Sequence, residues 1–254
     1  RRDGFIAHII FNQPEKRNAV SFDMWKTVND ALKMLAKDKT VRVLILSGAG
    51  GKSFVSGADI SKFDSERATK QSVIEYNDMT KKVYDGVANF PKPTIAQIDG
   101  FCIGGGVGLA ASCDIRYCGT SSEFAIPAAK LGLGYEYEGI NRLVKLIGPS
   151  FTKEIFYTAR RFTAQELVSM GFINKIIDDK ELSSHCLDVA NLIALNAPLT
   201  IEATKFIANQ CELEGSEKNL DACDKKVMLC FESSDYIEGR KAFMEKRNPN
   251  FKGK

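Results

Sequence analysis

Two glycine-rich turns, each following a short apolar run, constrain this chain more than any other feature. VRVLILSG (41–48) is continuously apolar and ends in Gly48, which is how a strand buried on both faces reads. SFVSGADI (53–60) follows it, with Ala58 as a small residue and Asp59 starting a helical stretch. TIAQIDG (94–100) reads as a second buried strand, and in DGFCIGGGVGLAASCDI (99–115) three glycines then open a helix of small residues. Glycine permits positive φ and lets a ligand approach the backbone. A helix start presents unpaired N–H groups and the positive end of the dipole. Two such N–H groups, one from each turn, can converge on one oxygen and form an oxyanion hole. Each turn alone also fits close helix–strand packing. A phosphate loop is not supported, because GxxxxGK[ST] is absent and positions 104, 106 and 109 read Gly-Gly-Leu, which breaks GxGxxG.

The rest of the chain fits an α/β core. FIAHIIF (5–11), DIRYCG (114–119) and GFINKII (171–177) read as further strands. Met24, Val28, Leu32 and Leu35 recur at helical spacing after Ser21, predicting a helix over 21–37 with Ser21 as N-cap. Another helix is predicted over 72–90, ended by Pro91 and Pro93. Thr163-x-x-Glu166 is a capping box for a short helix before Gly171. From 181 onward the pattern is nearly all helical: 181–195, 198–210, about 217–232 and 235–247. Residues 1–195 therefore read as a core and 196–254 as a C-terminal helical subdomain.

Composition excludes several classes. With 254 residues, 44% hydrophobic and 26% charged, the chain is globular rather than disordered or low-complexity. Its 35 Lys and Arg are interleaved with 32 Asp and Glu, for a net charge of +3; a nucleic-acid binder is usually more basic, with clustered charge. No run of eighteen apolar residues exists, so no membrane span is expected. No signal peptide is visible, and since the chain opens on Arg1 rather than Met, a leader or a disordered start is expected to be missing. Seven cysteines show no CxxC pair and read as free thiols in a reducing compartment. His8 and His185 lack a second ligand at metal spacing and read as structural, so neither a metal site nor a Ser-His-Asp or Cys-His mechanism is expected.

Several stretches together resemble the crotonase (enoyl-CoA hydratase/isomerase) superfamily over nearly the whole chain. They are NQPEKRNAVSFDMW (12–25), FVSGADI (54–60), PKPTIAQIDGFCIGGGVGLAASCDIRYC (91–118), EFAIPAAKLGLG (123–134), FTAQELVSMGFINKII (162–177) and DYIEGRKAFMEKRNPNF (235–251). The resemblance implies a spiral of ββα units, a C-terminal helical region that builds homotrimers or dimers of trimers, and a CoA-thioester ligand. CoA would be part of the substrate, so no separate cofactor is implied. The oxyanion-hole N–H groups would belong to Ala58 and Gly105. Ser56, Gly57, Asp59, Ile60 and Gly104 would lie along the ligand. Lys16 would meet the CoA phosphates, and Phe243 and Lys246 would contact CoA from a neighbouring subunit; Lys16 and Lys246 also fit plain solvated charge. A bacterial cytoplasm or a mitochondrial matrix would suit such an enzyme.

The departures from the family pattern matter most. Hydratase members carry two glutamates holding one water; the matching positions here are Gly108 and Ala128. Neither can supply the acid–base group that adding water requires, and the two are expected to leave a roomy, apolar pocket. The loop LGLGYEYEG (131–139) instead offers Tyr135, where decarboxylase members have a tyrosine, and Glu136, where dienoyl-CoA isomerase members have an aspartate. The loop and the C-terminus look most like the methylmalonyl-CoA decarboxylase branch, although YEYE also fits a polar surface loop. Two mechanisms follow: loss of CO2 from a malonyl-type acyl-CoA with Tyr135 assisting, or double-bond migration with Glu136, its pKa raised by burial, as base. A hydratase with a relocated base (Glu136 or Glu138) and a non-catalytic acyl-CoA-binding paralogue are the alternatives.

Overall fold

In the computed structural model, which describes residues 1–63 and 65–254, the central strands come in pairs. The first member of each pair enters a six-stranded sheet and the second a four-stranded sheet. Val43–Gly48, Thr94–Ile98 and Ile115–Gly119 run parallel in the larger sheet. Their successors Ser53–Val55, Phe101–Ile103 and Glu123–Ala125 run parallel in the smaller one. Each pair leads on to a helix: Lys70–Ala88, Gly105–Ala111 and Ala128–Leu131. This is the ββα spiral the resemblance implied. Ile6–Phe11 and Lys175–Ile177 flank the larger sheet as further parallel strands.

The continuous apolar strands are explained by what covers them. In Val43–Gly48, Leu44 and Leu46 face the main core with Trp25, Phe54 and Phe124. Val43 and Ile45 face the other side, against Leu182, Cys186 and Ala190 of the helix Leu182–Ala194. Alternate residues thus meet different apolar layers, so the positions from 43 to 46 are all apolar.

The helix after Ser21 spans Phe22–Lys37, and the Ser21 side chain accepts from the Met24 N–H at 3.4 Å. The next long helix starts two residues earlier than its periodicity suggests, because Thr69 and Ser72 form its capping box. GFINKII is only partly a strand. Gly171 has φ +82°, and Phe172 and Ile173 donate back to the Leu167 carbonyl, so the helix cap consumes the segment's first half.

The largest departure is the helix Tyr137–Thr158, 22 residues broken by a kink at Gly148 and Pro149. Its first turn takes Tyr137, Glu138 and Gly139 out of the expected 131–139 loop. Glu136 stands at its N-cap without a side-chain capping bond, so the usual start signal is missing.

The C-terminal helices Pro198–Cys211, Leu220–Phe231 and Ser234–Met244 are tied back to the sheet by polar contacts. The Lys205 ammonium meets Asp114 at 2.8 Å, and Arg42 donates to the carbonyls of Ala194 and Phe251. Cys102, Cys113, Cys118, Cys186 and Cys223 are buried free thiols, whereas Cys211 is exposed. Among the described residues no single helix is long and apolar enough to cross a membrane.

Candidate active site

The two glycine turns meet. A Cβ placed on Gly57 would lie 3.8 Å from the Gly105 nitrogen, and one on Gly105 would lie 3.9 Å from the Gly57 Cα. Both turns need left-handed backbone: Gly57 has φ +97° and Gly104 φ +54°, conformations that side chains rarely adopt. Gly106 makes the close approach possible, since a Cβ there would overlap the Val55 carbonyl oxygen.

The neighbours of each exposed N–H are pinned. Around Ala58, Val20 donates to the Gly57 carbonyl at 2.8 Å and accepts from the Asp59 N–H at 3.0 Å. Val20 is itself held from the other side: the Trp25 indole donates to the Tyr76 hydroxyl at 3.0 Å, and Tyr76 donates to the Val20 carbonyl. Around Gly105, the Gly104 N–H donates to the Ala125 carbonyl at 2.7 Å and the Tyr84 hydroxyl donates to the Gly105 carbonyl at 2.8 Å. Among the described residues, the N–H groups of Ala58 and Gly105 themselves have no hydrogen-bond partner. They line one cavity together with Gly108, Ala128 and Tyr135. This is an arrangement able to receive one oxygen that gains negative charge.

The Tyr135 hydroxyl stands over the turn, 3.8 Å from a Cβ placed on Gly104. Its ring packs edge-on against Phe156, with centroids 5.0 Å apart. Burial pushes its pKa up to about 12, with the Arg67 charge acting in the opposite direction, so at neutral pH it is a phenol with a proton to give. Glu136 is different. It is exposed, and its carboxylate accepts from the Asn77 side chain at 3.0 Å. Glu138 pairs with Lys81 at 3.6 Å at the rim. The desolvation that the proton-abstraction mechanism asks of Glu136 is not found.

The expectation of a roomy pocket at Gly108 is corrected. The Tyr84 ring packs on this glycine: a Cβ at 108 would lie 3.0–3.1 Å from three of its atoms. Removing a side chain from the short helix lets an aromatic from Lys70–Ala88 close the gap, and desolvation raises the Tyr84 pKa well above the ordinary phenol value. Tyr84 gives no sign in the sequence, since it looks like any aromatic of an amphipathic helix beside Val83. Gly108→Glu is therefore expected to cost about 1–3 kcal/mol by overpacking and to lower Tm by several degrees in a thermal melt. Combined with Tyr84→Ala it should cost less than the two changes summed. A Gly108→Glu chain that melts like the wild type would show that Tyr84 moves aside freely.

The other predicted ligand contacts divide. Ser56, Gly57, Gly104 and Ile60 line the same cavity. Asp59 is buried and turned away from it: its carboxylate takes the Lys16 ammonium at 2.8 Å and the Ser61 N–H at 3.1 Å. The Lys16 hydrogen bond, foremost, and that from the Ser61 side chain bring the Asp59 pKa to about 2. Its role is to hold Lys16 beside the turn. Phe243 is not brought near; it lines a second apolar cavity with Leu199, Phe231 and Tyr236. Lys246 follows it in left-handed backbone at φ +53°.

A two-sheet spiral presenting paired main-chain donors in one cavity defines a scaffold able to stabilise an oxyanion. The family model described as enoyl-CoA hydratase/isomerase matches residues 1–254, and the chain belongs to that family. It is 32% identical over 246 residues to a crotonyl-CoA hydratase of Syntrophomonas wolfei, covering 97% of this chain and 94% of that protein. It is 30% identical over 254 residues to a mitochondrial Delta(3,5)-Delta(2,4)-dienoyl-CoA isomerase of Mus musculus, covering 96% and 77%. A solved enoyl-CoA hydratase/carnithine racemase from Magnetospirillum magneticum superposes with a TM-score of 0.93 at 33% identity, over 100% of this chain and 94% of that one.

Proposed function

We propose that this chain decarboxylates a malonyl-type acyl-CoA, with the Ala58 and Gly105 N–H groups holding the thioester oxygen. The observation that carries this reading is the Tyr135 hydroxyl over the Gly104 turn in the cavity that Ala58 and Gly105 also line, while the carboxylates lining that cavity, Asp85, Glu136 and Glu138, are engaged by Lys81, Arg142 and Asn77. The bond between the α-carbon and the carboxylate breaks, CO2 leaves, and the electron pair spreads from the α-carbon onto the thioester oxygen as an enolate. The two N–H groups strengthen as that charge grows. Tyr135 then gives its proton to the α-carbon and recovers one from solvent.

The missing glutamates favour this chemistry. A fixed carboxylate about 4 Å from the substrate's own would cost on the order of 4 kcal/mol at an effective dielectric near 20. Gly108 and Ala128 avoid that repulsion, and with the Tyr84 ring they make the wall beside the Gly105 turn apolar, which favours loss of charge there. Lys16, Ser56 and Ile60 flank the turn on the side proposed for CoA. The exposed apolar residues Phe231, Ile237 and Phe243 of the C-terminal helices are the surface we assign to trimer formation, which would bring Phe243 and Lys246 to a neighbour's CoA.

The resemblance to a dienoyl-CoA isomerase supports a second reading, double-bond migration with Glu136 as base. Mass spectrometry of a CoA-thioester panel in heavy water separates the two. Loss of one CO2 from malonyl-, methylmalonyl- or ethylmalonyl-CoA is the expected result. Deuterium uptake into enoyl- or dienoyl-CoA without mass loss would favour Glu136. Hydration of crotonyl-CoA at an ordinary rate would overturn the reading of Gly108 and Ala128, and binding without any turnover would leave an acyl-CoA-binding protein.

A further inference from the structure

Arg67 lies on the short segment between Phe63–Glu66 and Lys70–Ala88, and it lines the same cavity as Ala58, Gly105 and Tyr135. Its guanidinium carbon sits 3.8 Å from the Tyr76 ring centroid and 4.7 Å from that of Phe63. The Nε is buried without a hydrogen-bond partner. Among the described residues, Glu66 and the carboxylates that line the cavity have partners of their own. Glu66 accepts from the Phe22 N–H, Glu136 from Asn77, and Glu138 and Asp85 pair with Lys81, Asp85 also with Arg142. A guanidinium held on aromatic faces keeps its N–H edge for a ligand. A buried N–H without a partner is costly, and a planar fork matches a carboxylate.

From this we infer that Arg67 is a specificity residue, reading a carboxylate on the acyl group of the thioester bound in this cavity. The inference rests on the acyl-CoA reading above but not on which bond is broken. An ion pair to the leaving carboxylate stabilises the ground state, so Arg67 serves binding rather than the chemical step. A second anion source is CoA itself, whose phosphates carry charge whatever the acyl group.

The test is calorimetric binding of succinyl-CoA and glutaryl-CoA against apolar thioesters of matched shape, 4-methylpentanoyl- and 5-methylhexanoyl-CoA. It uses the wild type, Arg67→Gln and Arg67→Lys. The wild type should prefer at least one carboxylate-bearing ligand by about 10- to 100-fold. Arg67→Gln should lose that preference while holding the apolar ligands unchanged, and Arg67→Lys should recover part of it. For a malonyl-type substrate that turns over, Arg67→Gln should raise KM without lowering kcat. No preference in the wild type overturns the inference. Equal weakening of both ligand types in Arg67→Gln also overturns it and assigns Arg67 to the CoA phosphates. If none of the thioesters binds, the acyl-CoA reading fails and the inference with it. A carboxylate preference without any decarboxylation refutes the proposed reaction alone.

Discussion

Gly105→Pro is expected to lower kcat for a malonyl-type thioester by about 100- to 1000-fold, with CoA binding retained. Proline is well placed for the experiment because Gly105 is the first residue of its helix, where proline's fixed φ is tolerated and only the N–H is lost. That N–H has no partner among the described residues, so the fold gives up no hydrogen bond. The added ring does press on Tyr84, whose hydroxyl would lie 3.0 Å from a Cβ at 105. Gly105→Ala places the same Cβ and keeps the N–H, so the ratio of the two variants isolates the donor. Steady-state kinetics on both, with a melt of each to show folding, settles the matter. Activity in Gly105→Pro equal to that in Gly105→Ala would sink the oxyanion-hole assignment.

Tyr135→Phe is expected to lower kcat by about 100-fold or more, the lower range for a positioned proton donor. The ring keeps its edge-on contact with Phe156, so the loss belongs to the hydroxyl. With the phenol pKa near 12, the proton is present at all ordinary pH values. The rate should therefore show no decline attributable to Tyr135 between neutral pH and about pH 10. In heavy water the variant should still lose CO2 slowly, because the N–H pair remains, but protonation of the enolate should lose its stereochemical preference. A variant with unchanged kcat and unchanged stereochemistry would move the proton-delivering role elsewhere, with Glu136 as the next candidate.

Much of the fold was legible because its signals are local. Ser21, Thr163 and the apolar strands ending in Gly48 and Ile98 each carry their own start, stop or burial pattern. The helix Tyr137–Thr158 was not legible: it begins without a capping side chain and is broken at Gly148 and Pro149, which splits its periodicity. The site divides the same way. Ala58, Gly105 and Tyr135 lie on segments whose glycine spacing or family pattern marks them. Val20 reaches the first turn from 38 residues before Ala58 by backbone hydrogen bonds, and Tyr84 and Arg67 reach the cavity through the packing of Lys70–Ala88 and the segment before it, contacts that no local pattern announces. The emptiness expected at Gly108 failed for that reason: a sequence shows which side chain has gone, and not which neighbour has moved in.

The two donors at the turns belong to the peptide backbone, and their settings are Val20, Tyr84 and a chain path that Gly106 keeps tight. Any codon change that preserves this path leaves them intact. Tyr135 and Glu136, by contrast, present side chains rather than backbone groups, on the short connection between Gly132 and the start of the next helix, the kind of segment that tolerates exchange better than the strands do. On the proposed oxyanion-hole role of these donors, a lineage built this way can exchange one reaction for another at a handful of loop positions while keeping its enolate-stabilising backbone. The scaffold behaves as a fixed electrode with an interchangeable tip, which makes the 132–136 segment the natural place to graft a different proton donor and redirect the chemistry.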